Sequence, residues 1–330
     1  MDDRAERERR NALLVTGAIV LVVVAFAVRG WWPGGEPTAR RDASRTAEPT
    51  PEPAADIYVY DLTNEQDVRL TDHSGPDVDP AWSPDGSRIA FARFTDENLH
   101  DIYVMDADGG DQVRVVGGPT DAFAPSWSPD GEEIVFMSGS TFADIFVVDV
   151  ATGAVRVTRI GDFPTGDEWP AWSPVADRIA YVEERPESDE TRIFTVRSDG
   201  TDRRIVQVLE GCCEVRHLEW SPDGRFLAFT WEQAGSVDVW IVYATGGGPV
   251  RKLTYGDLAD GFASWSPDGR RLVFQTNRNA LNEDDLYVIR SDGTGERALL
   301  RTPWYDANPD WSPDGRYIAF DSIEGADGRP

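Results

Sequence analysis

Five aspartates stand at nearly one distance ahead of five tryptophans. Asp77, Asp167, Asp260 and Asp306 lie five residues before Trp82, Trp172, Trp265 and Trp311, and Asp121 lies six before Trp127. Carboxylates recurring at a fixed place suit three jobs. They cap loops by accepting backbone N–H bonds, as Asx residues do; they form an electronegative mouth for a cationic group of a partner; or they converge to give the several oxygens that Ca²⁺ needs. Aromatic residues share these loops: Phe123, Trp169, Phe262, Trp304 and Tyr305. Core packing is the ordinary use of any one of them, but as a set beside acids they read as anchors at an interface. Cys212 and Cys213 are adjacent and are the only cysteines. They suit either a strained vicinal disulfide or two thiols packed beneath a loop.

The elements that must position these residues are written in a repeat. "PAWSPDGSRIAF" from Pro80 recurs from Pro125, Pro170, Leu218, Ala263 and Pro309, and its tryptophans (Trp82, Trp127, Trp172, Trp220, Trp265, Trp311) are spaced by 45 to 48 residues. After each tryptophan, Ser-Pro-Asp-Gly makes a tight turn: proline presets φ, aspartate tolerates the third turn position, and glycine accepts positive φ. One copy departs, with Val175 and Ala176 for Asp and Gly. If Ala176 takes positive φ, the turn costs about 1 kcal/mol. A second half-unit follows each first, as in "DIYVMDADGG" from Asp101 and "DLYVIRSDG" from Asp285. Four short antiparallel strands per repeat are a β-propeller blade.

The count closes only as a ring. "DIYVYDLTNEQDVRLT" from Asp56 is a second half without a first, and "DWSPDGRYIAFDS" from Asp310 is a first half without a second. Joined, they complete a sixth blade and remove the open edges of the array. The fold class expected is therefore all-β, a six-bladed propeller over residues 56–330 closed by its N-terminal strands. Its hairpins and Gly-bearing turns share a uniform face, and its varied loops share the other, where binding residues belong. His73 and His100 flank the first complete blade while His217 leads into the fourth, which argues against a histidine metal site.

Ahead of the ring, residues 12–28 carry no charge. As a helix they rise roughly 26 Å, a little short of the ~30 Å hydrocarbon core, and Trp31 and Trp32 extend the segment as interfacial anchors. Arg4, Arg7, Arg9 and Arg10 precede it and Arg29 alone follows closely. The reading is a cytoplasmic N-terminus (1–11), a transmembrane signal-anchor (12–32), a Pro-rich disordered tether (33–55) and the propeller outside. The alternative is a signal peptide cleaved near Ala25–Ala27. The formal net charge is −27, all of it beyond residue 55. So acidic a domain repels nucleic acid and anionic lipid, and suits a basic partner.

The Trp-Ser-Pro-Asp-Gly and "DIYVM" alternation, with "QTNRNALNEDDLYV" from Gln275, resembles the TolB-like six-bladed propellers over residues 56–330. The resemblance implies a role like that of the family's type member in the Tol-Pal envelope system, whose propeller face binds a peptidoglycan-associated lipoprotein. That member carries an α/β domain where this chain has an anchor and tether. Similar propellers also precede a hydrolase domain in prolyl oligopeptidases, but no Gly-x-Ser-x-Gly elbow occurs here. The expected function is a membrane-anchored, extracytoplasmic, non-enzymatic module that binds protein or cell-envelope material, without a cofactor. Two alternatives stand beside it. One is a Ca²⁺-dependent hydrolase or lactonase with its metal in the channel. The other is a carbohydrate-binding module with Trp169 and Trp304 as sugar platforms.

Overall fold

The computed structural model describes residues 54–323 apart from 96–98, 140–142, 158–165, 186–189, 211–213, 234, 257 and 281–282. Among the described residues, twenty-four strands form six four-stranded antiparallel sheets. Blade one runs Asp77–Trp82, Arg88–Phe94, His100–Asp106 and Val113–Val116, from the axis outward. Blades two to five repeat this order, with innermost strands Ala122–Trp127, Gly166–Trp172, Val215–Trp220 and Asp260–Trp265. Blade six takes Tyr305–Trp311 and Tyr317–Ile323 from one end of the chain, and Asp56–Asp61 and Gln66–Arg69 from the other. The seam is a continuous ladder from Asp56↔Ser322 to Asp61↔Tyr317. Ala55, given to the tether by composition, is buried, and its carbonyl accepts the Asp77 N–H at 2.8 Å.

The core lies between blades. At each junction apolar side chains of two sheets interdigitate, as Val135, Ile145 and Val147 of blade two do with Trp172, Tyr181 and Phe194 of blade three. The seam is packed the same way, with Ile57, Val59 and Ala319 against Ile89, Phe91 and Met105. Burying one such side chain contributes about 1.5–3 kcal/mol. The repeat tryptophans sit at these junctions, and at four of them the residue six after one tryptophan covers the next blade's. Tyr317 stacks on Trp82 and Phe226 on Trp265, while the Arg88 and Arg271 guanidinium groups lie over Trp127 and Trp311.

Each letter of Ser-Pro-Asp-Gly has a physical task. In blade one the Gly86 N–H donates to the Ser83 carbonyl at 2.9 Å, the Ser83 hydroxyl donates to Asp85 Oδ1 at 2.7 Å, and the same hydroxyl oxygen accepts the Arg88 N–H at 2.9 Å. Gly86 and Gly315 sit at φ +70° and +76°, where a Cβ would lie 3.3 and 3.2 Å from Pro313 and Pro267 of the preceding blades. The proline of one hairpin thus packs on the glycine of the next. In blade three the turn closes differently, with the Arg178 N–H donating to the Ala176 carbonyl at 2.8 Å, and Ala176 is not among the left-handed residues. The strain expected there is not incurred.

The membrane helix is corrected. Among the described residues every regular element is a strand, and no helix is long and apolar enough to cross a membrane. An apolar run makes a span only where a helix satisfies its own backbone hydrogen bonds. Residues 1–53, which carry the expected anchor and most of the tether, lie outside the described residues. The signal-anchor, the membrane contact and the single-pass location built on it are therefore withdrawn, and the fold of the described residues is the propeller.

Candidate functional site

The innermost strand of every blade carries a β-bulge two or three residues before its tryptophan, at Val78/Ala81, Phe123/Ser126, Glu168/Ala171, Arg216/Leu218, Gly261/Ser264 and Ala307/Asp310. A bulge re-aims one side chain at the expense of ladder pairing. Here that residue is the third before the tryptophan: Asp79, Ala124, Trp169, His217, Phe262 and Asn308. All six have φ between 49° and 54°. Left-handed backbone costs a non-glycine residue about 1 kcal/mol or more, so six successive copies need support. Neighbouring blades supply it for four: Asp321, Thr230 and Gln275 side chains accept the N–H of Asp79, Phe262 and Asn308 at 3.2, 2.8 and 2.9 Å, and Asp79 accepts that of Ala124 at 3.4 Å.

Five of these residues line an axial cavity of about 260 Å³. Its two sides differ. Trp169 meets Phe262 edge to face at 5.7 Å, and the His217 ring lies 5.4 Å from that of Phe262. Burial pushes His217 down to about 4, so it is neutral, and its Nδ1 has no partner among the described residues. Across from these aromatics stand Asp79, Asn308 and Asp310, with Asp321 behind them, its Oδ1 accepting from Asn308 Nδ2 at 2.8 Å. Burial raises Asp79, and raises Asp321 to about 7 with help from the Asp79 charge.

A second belt is formed by the residue directly before each tryptophan. Ser126, Glu219, Ser264 and Asp310 accept the backbone N–H of the next blade's tryptophan, at 2.9, 3.1, 3.0 and 2.6 Å. Where that residue is Ala81 or Ala171, the next indole N–H donates to its carbonyl instead, at 3.0 Å. Three of these ties are fused. Ser264 Oγ accepts from the Trp311 N–H and also lies 3.2 Å from Glu219 Oε1 and 3.1 Å from Asp310 Oδ1. A hydroxyl has one hydrogen to donate. Both carboxyl contacts close only if one of the two acids carries a proton. Burial pushes both in that direction, Asp310 to about 6 and Glu219 well above the usual carboxylate range, the latter also through the Asp310 charge.

The acids singled out by spacing are placed elsewhere. Asp77 is fully buried and paired through both oxygens with Arg93 at 2.7 Å; Asp260 binds Thr276 and Arg278; Asp306 binds Ser322 and Thr302. These are clips between the first two strands of a single blade, or to its entry loop, and the residues do not converge. Asp121 accepts the His100 N–H at 2.9 Å and faces its ring, while Asp167 is buried in blade three. Phe123 packs on His100 at 4.3 Å. Of the aromatics, the structure brings together Trp169, which lines the channel, and Phe262, which packs edge to face against it. Trp304 is half-buried, and the Tyr305 hydroxyl bonds Asp284. Cys212 and Cys213 lie outside the described residues. Among the described residues no three His, Cys, Asp or Glu side chains are grouped to hold a metal ion.

Missed by spacing alone were Asp79, Glu219, Ser264, Asn308, Asp310 and Asp321. The signal was present. Aligned on their tryptophans, the repeats read Asp, Ala, Trp, His, Phe and Asn at the third position back, six different residues three positions ahead of an invariant tryptophan.

Fold and site together define a closed six-bladed propeller whose channel is plugged by aromatics on one side and lined by protonatable acids on the other. A family model described as the TolB beta propeller domain matches residues 165–282. The Tol-Pal system protein TolB of Anaeromyxobacter dehalogenans is 33% identical over 147 residues, covering 41% of this chain and 33% of that protein, so the match spans about a third of the curated relative. Among solved structures, putative TolB from Agrobacterium tumefaciens gives a TM-score of 0.67 at 20% identity, over 82% of this chain and 98% of that one. TolB from Acinetobacter baumannii gives 0.57 at 21% identity, over 84% and 65%. At such identities the structural likeness shows the fold. Over the matched segment the chain resembles the TolB-like six-bladed β-propellers, and it shares their fold.

Proposed function

We propose that the propeller is a non-catalytic binding module that receives a cationic side chain of a protein partner in its channel. One observation carries the reading: Asp79, Glu219 and Asp310 line a cavity whose lining includes no lysine or arginine. Buried acids without a counter-cation destabilise the chain that holds them, and such groups gather at sites where something else completes the charge. The aromatic side offers Trp169, backed by Phe262, to the apolar stem of the same side chain. The Tol-Pal relatives point to an envelope protein as the partner class.

Capture from envelope extracts by immobilised protein tests this. Asp79→Asn and Trp169→Ala should each weaken recovery of a specific partner, the second by about 1–3 kcal/mol, while both variants melt cooperatively. If the parent captures nothing that the variants lose, the channel is not the site.

A further inference from the structure

The hairpin face holds a second cavity, of about 730 Å³, at the junction of blades six and one. Val59, Leu70, Trp82 and Tyr317 form its apolar lining together with Val68, which is 60% exposed, and Asp85, Asp108 and Asp314 stand among its polar residues. Trp82 and Pro84 line both this groove and the axial channel.

Sister junctions show what this one lacks. Between blades one and two, the Arg88 guanidinium lies 4.6 Å over Trp127 and donates to the Gly131 carbonyl at 2.8 Å. Between blades five and six, Arg271 lies 5.1 Å over Trp311. The corresponding groove between blades four and five contains Arg251, which donates to the Ser291 carbonyl at 2.7 Å. At the seam the covering residue is Tyr317, and no lysine or arginine lines the groove. A fourth acid there, Asp61, is already paired with Arg316 at 2.7 Å. Asp85, Asp108 and Asp314 enter no ion pair among the described residues. Their turns fix them in place: Asp85 accepts from Ser83, Asp108 from the Gly110 N–H at 3.0 Å and Asp314 from Ser312 at 2.6 Å. The hydrogen bonds of Ser83 and Ser87 hold Asp85 down at about 2, so it stays ionised.

We propose that this groove docks an extended, arginine-bearing segment of a basic protein partner. The guanidinium sits among Asp85, Asp108 and Asp314, and a neighbouring aliphatic side chain covers Val68 and Val59. Charge complementarity selects this occupant over a second copy of the chain, whose own surface is strongly acidic. The surface is distinct from the axial site and does not depend on it.

The test uses the full chain and an acetylated, amidated leucine-arginine-leucine peptide, with the leucine-glutamine-leucine peptide as control. Calorimetric titration reads affinity, and hydrogen–deuterium exchange reads location. The arginine peptide should bind more weakly as salt rises, and should protect residues 57–70 and 312–317. Val68→Lys, which places the protein's own cation in the groove at an exposed position, should weaken binding about tenfold, as should Asp108→Asn in the same direction. Equal binding of the glutamine peptide, indifference to Val68→Lys, or protection confined to strands around Asp79 and Asp310 would each overturn the proposal. The last of these outcomes would leave the axial reading standing.

Discussion

Replacing Asp310 by asparagine should make the protein more stable at neutral pH. Asparagine keeps an oxygen to accept the Trp82 N–H, now 2.6 Å from Asp310 Oδ2, and presents an amide hydrogen to Ser264 Oγ, now 3.1 Å from Oδ1. It thus does permanently what the shared proton does. The magnitude follows from linkage. Burial raises Asp310 from 3.8 to about 6, and each pK unit is worth about 1.4 kcal/mol, so ionising it in the folded ring costs about 3 kcal/mol. The raised group contributes its stability in full below the unfolded value and loses it as pH rises through the folded one. Asp310→Asn should therefore raise the melting temperature by roughly 5–10 °C near pH 8 and change it little near pH 4. Thermal denaturation of parent and variant across that range is the assay. Equal destabilisation at both ends would mean that no proton sits between Glu219 and Asp310, and the hydrogen-bond count that requires one would be wrong.

Other perturbations have similarly defined outcomes. Gly224→Ala puts a Cβ 2.3 Å from Val175 Cγ2 at φ +69°, whereas Gly235→Ala meets open space at φ +82°; in urea the first should lose about 2–3 kcal/mol and the second about 1, with Val175→Ala recovering part of the first, and equal losses would show that the hairpin contact contributes nothing. Arg93→Met leaves Asp77 buried without its partner and should cost about 3–5 kcal/mol, much of it recovered by adding Asp77→Leu; absence of recovery in the double variant would show that the pair matters beyond its charges. Deleting residues 305–323 removes the partner of Asp56–Asp61 and should give light-scattering aggregates rather than a cooperative melt.

The ring, its blade count and its closure were legible because they depend on features the repeats restate: a Ser-Pro-Asp-Gly turn in five of six copies, and a tryptophan spaced by 45 to 48 residues in all of them. The candidate site was less so. Asp77, Asp260 and Asp306 recur like candidates, but they recur because three blades use the same clip between their first two strands. Recurrence marks structural need, and the proposed site draws on positions where the repeats differ, at Asp79, His217 and Asn308. Nor does a sequence show that Glu219 and Asp310, 91 positions apart in number, meet through Ser264 of a third blade. That contact exists only once the ring has brought three blades around one axis.

The seam has a consequence in time. Asp56–Asp61 is the first strand of the propeller to be synthesised, yet its inner partner is Tyr317–Ile323; Asp61 and Arg316, which pair across the seam, are 255 residues apart. Blades one to five can assemble in order as they emerge, each completing its own sheet from local chain. The first hairpin cannot; it must wait, with one edge unpaired, until the last is made. Contacts so distant carry a loop-closure entropy that local ones avoid, and they slow folding. The last event in building this protein is therefore the capture of its beginning by its end, and until then Ile57 and Val59 have only blade one to shelter them.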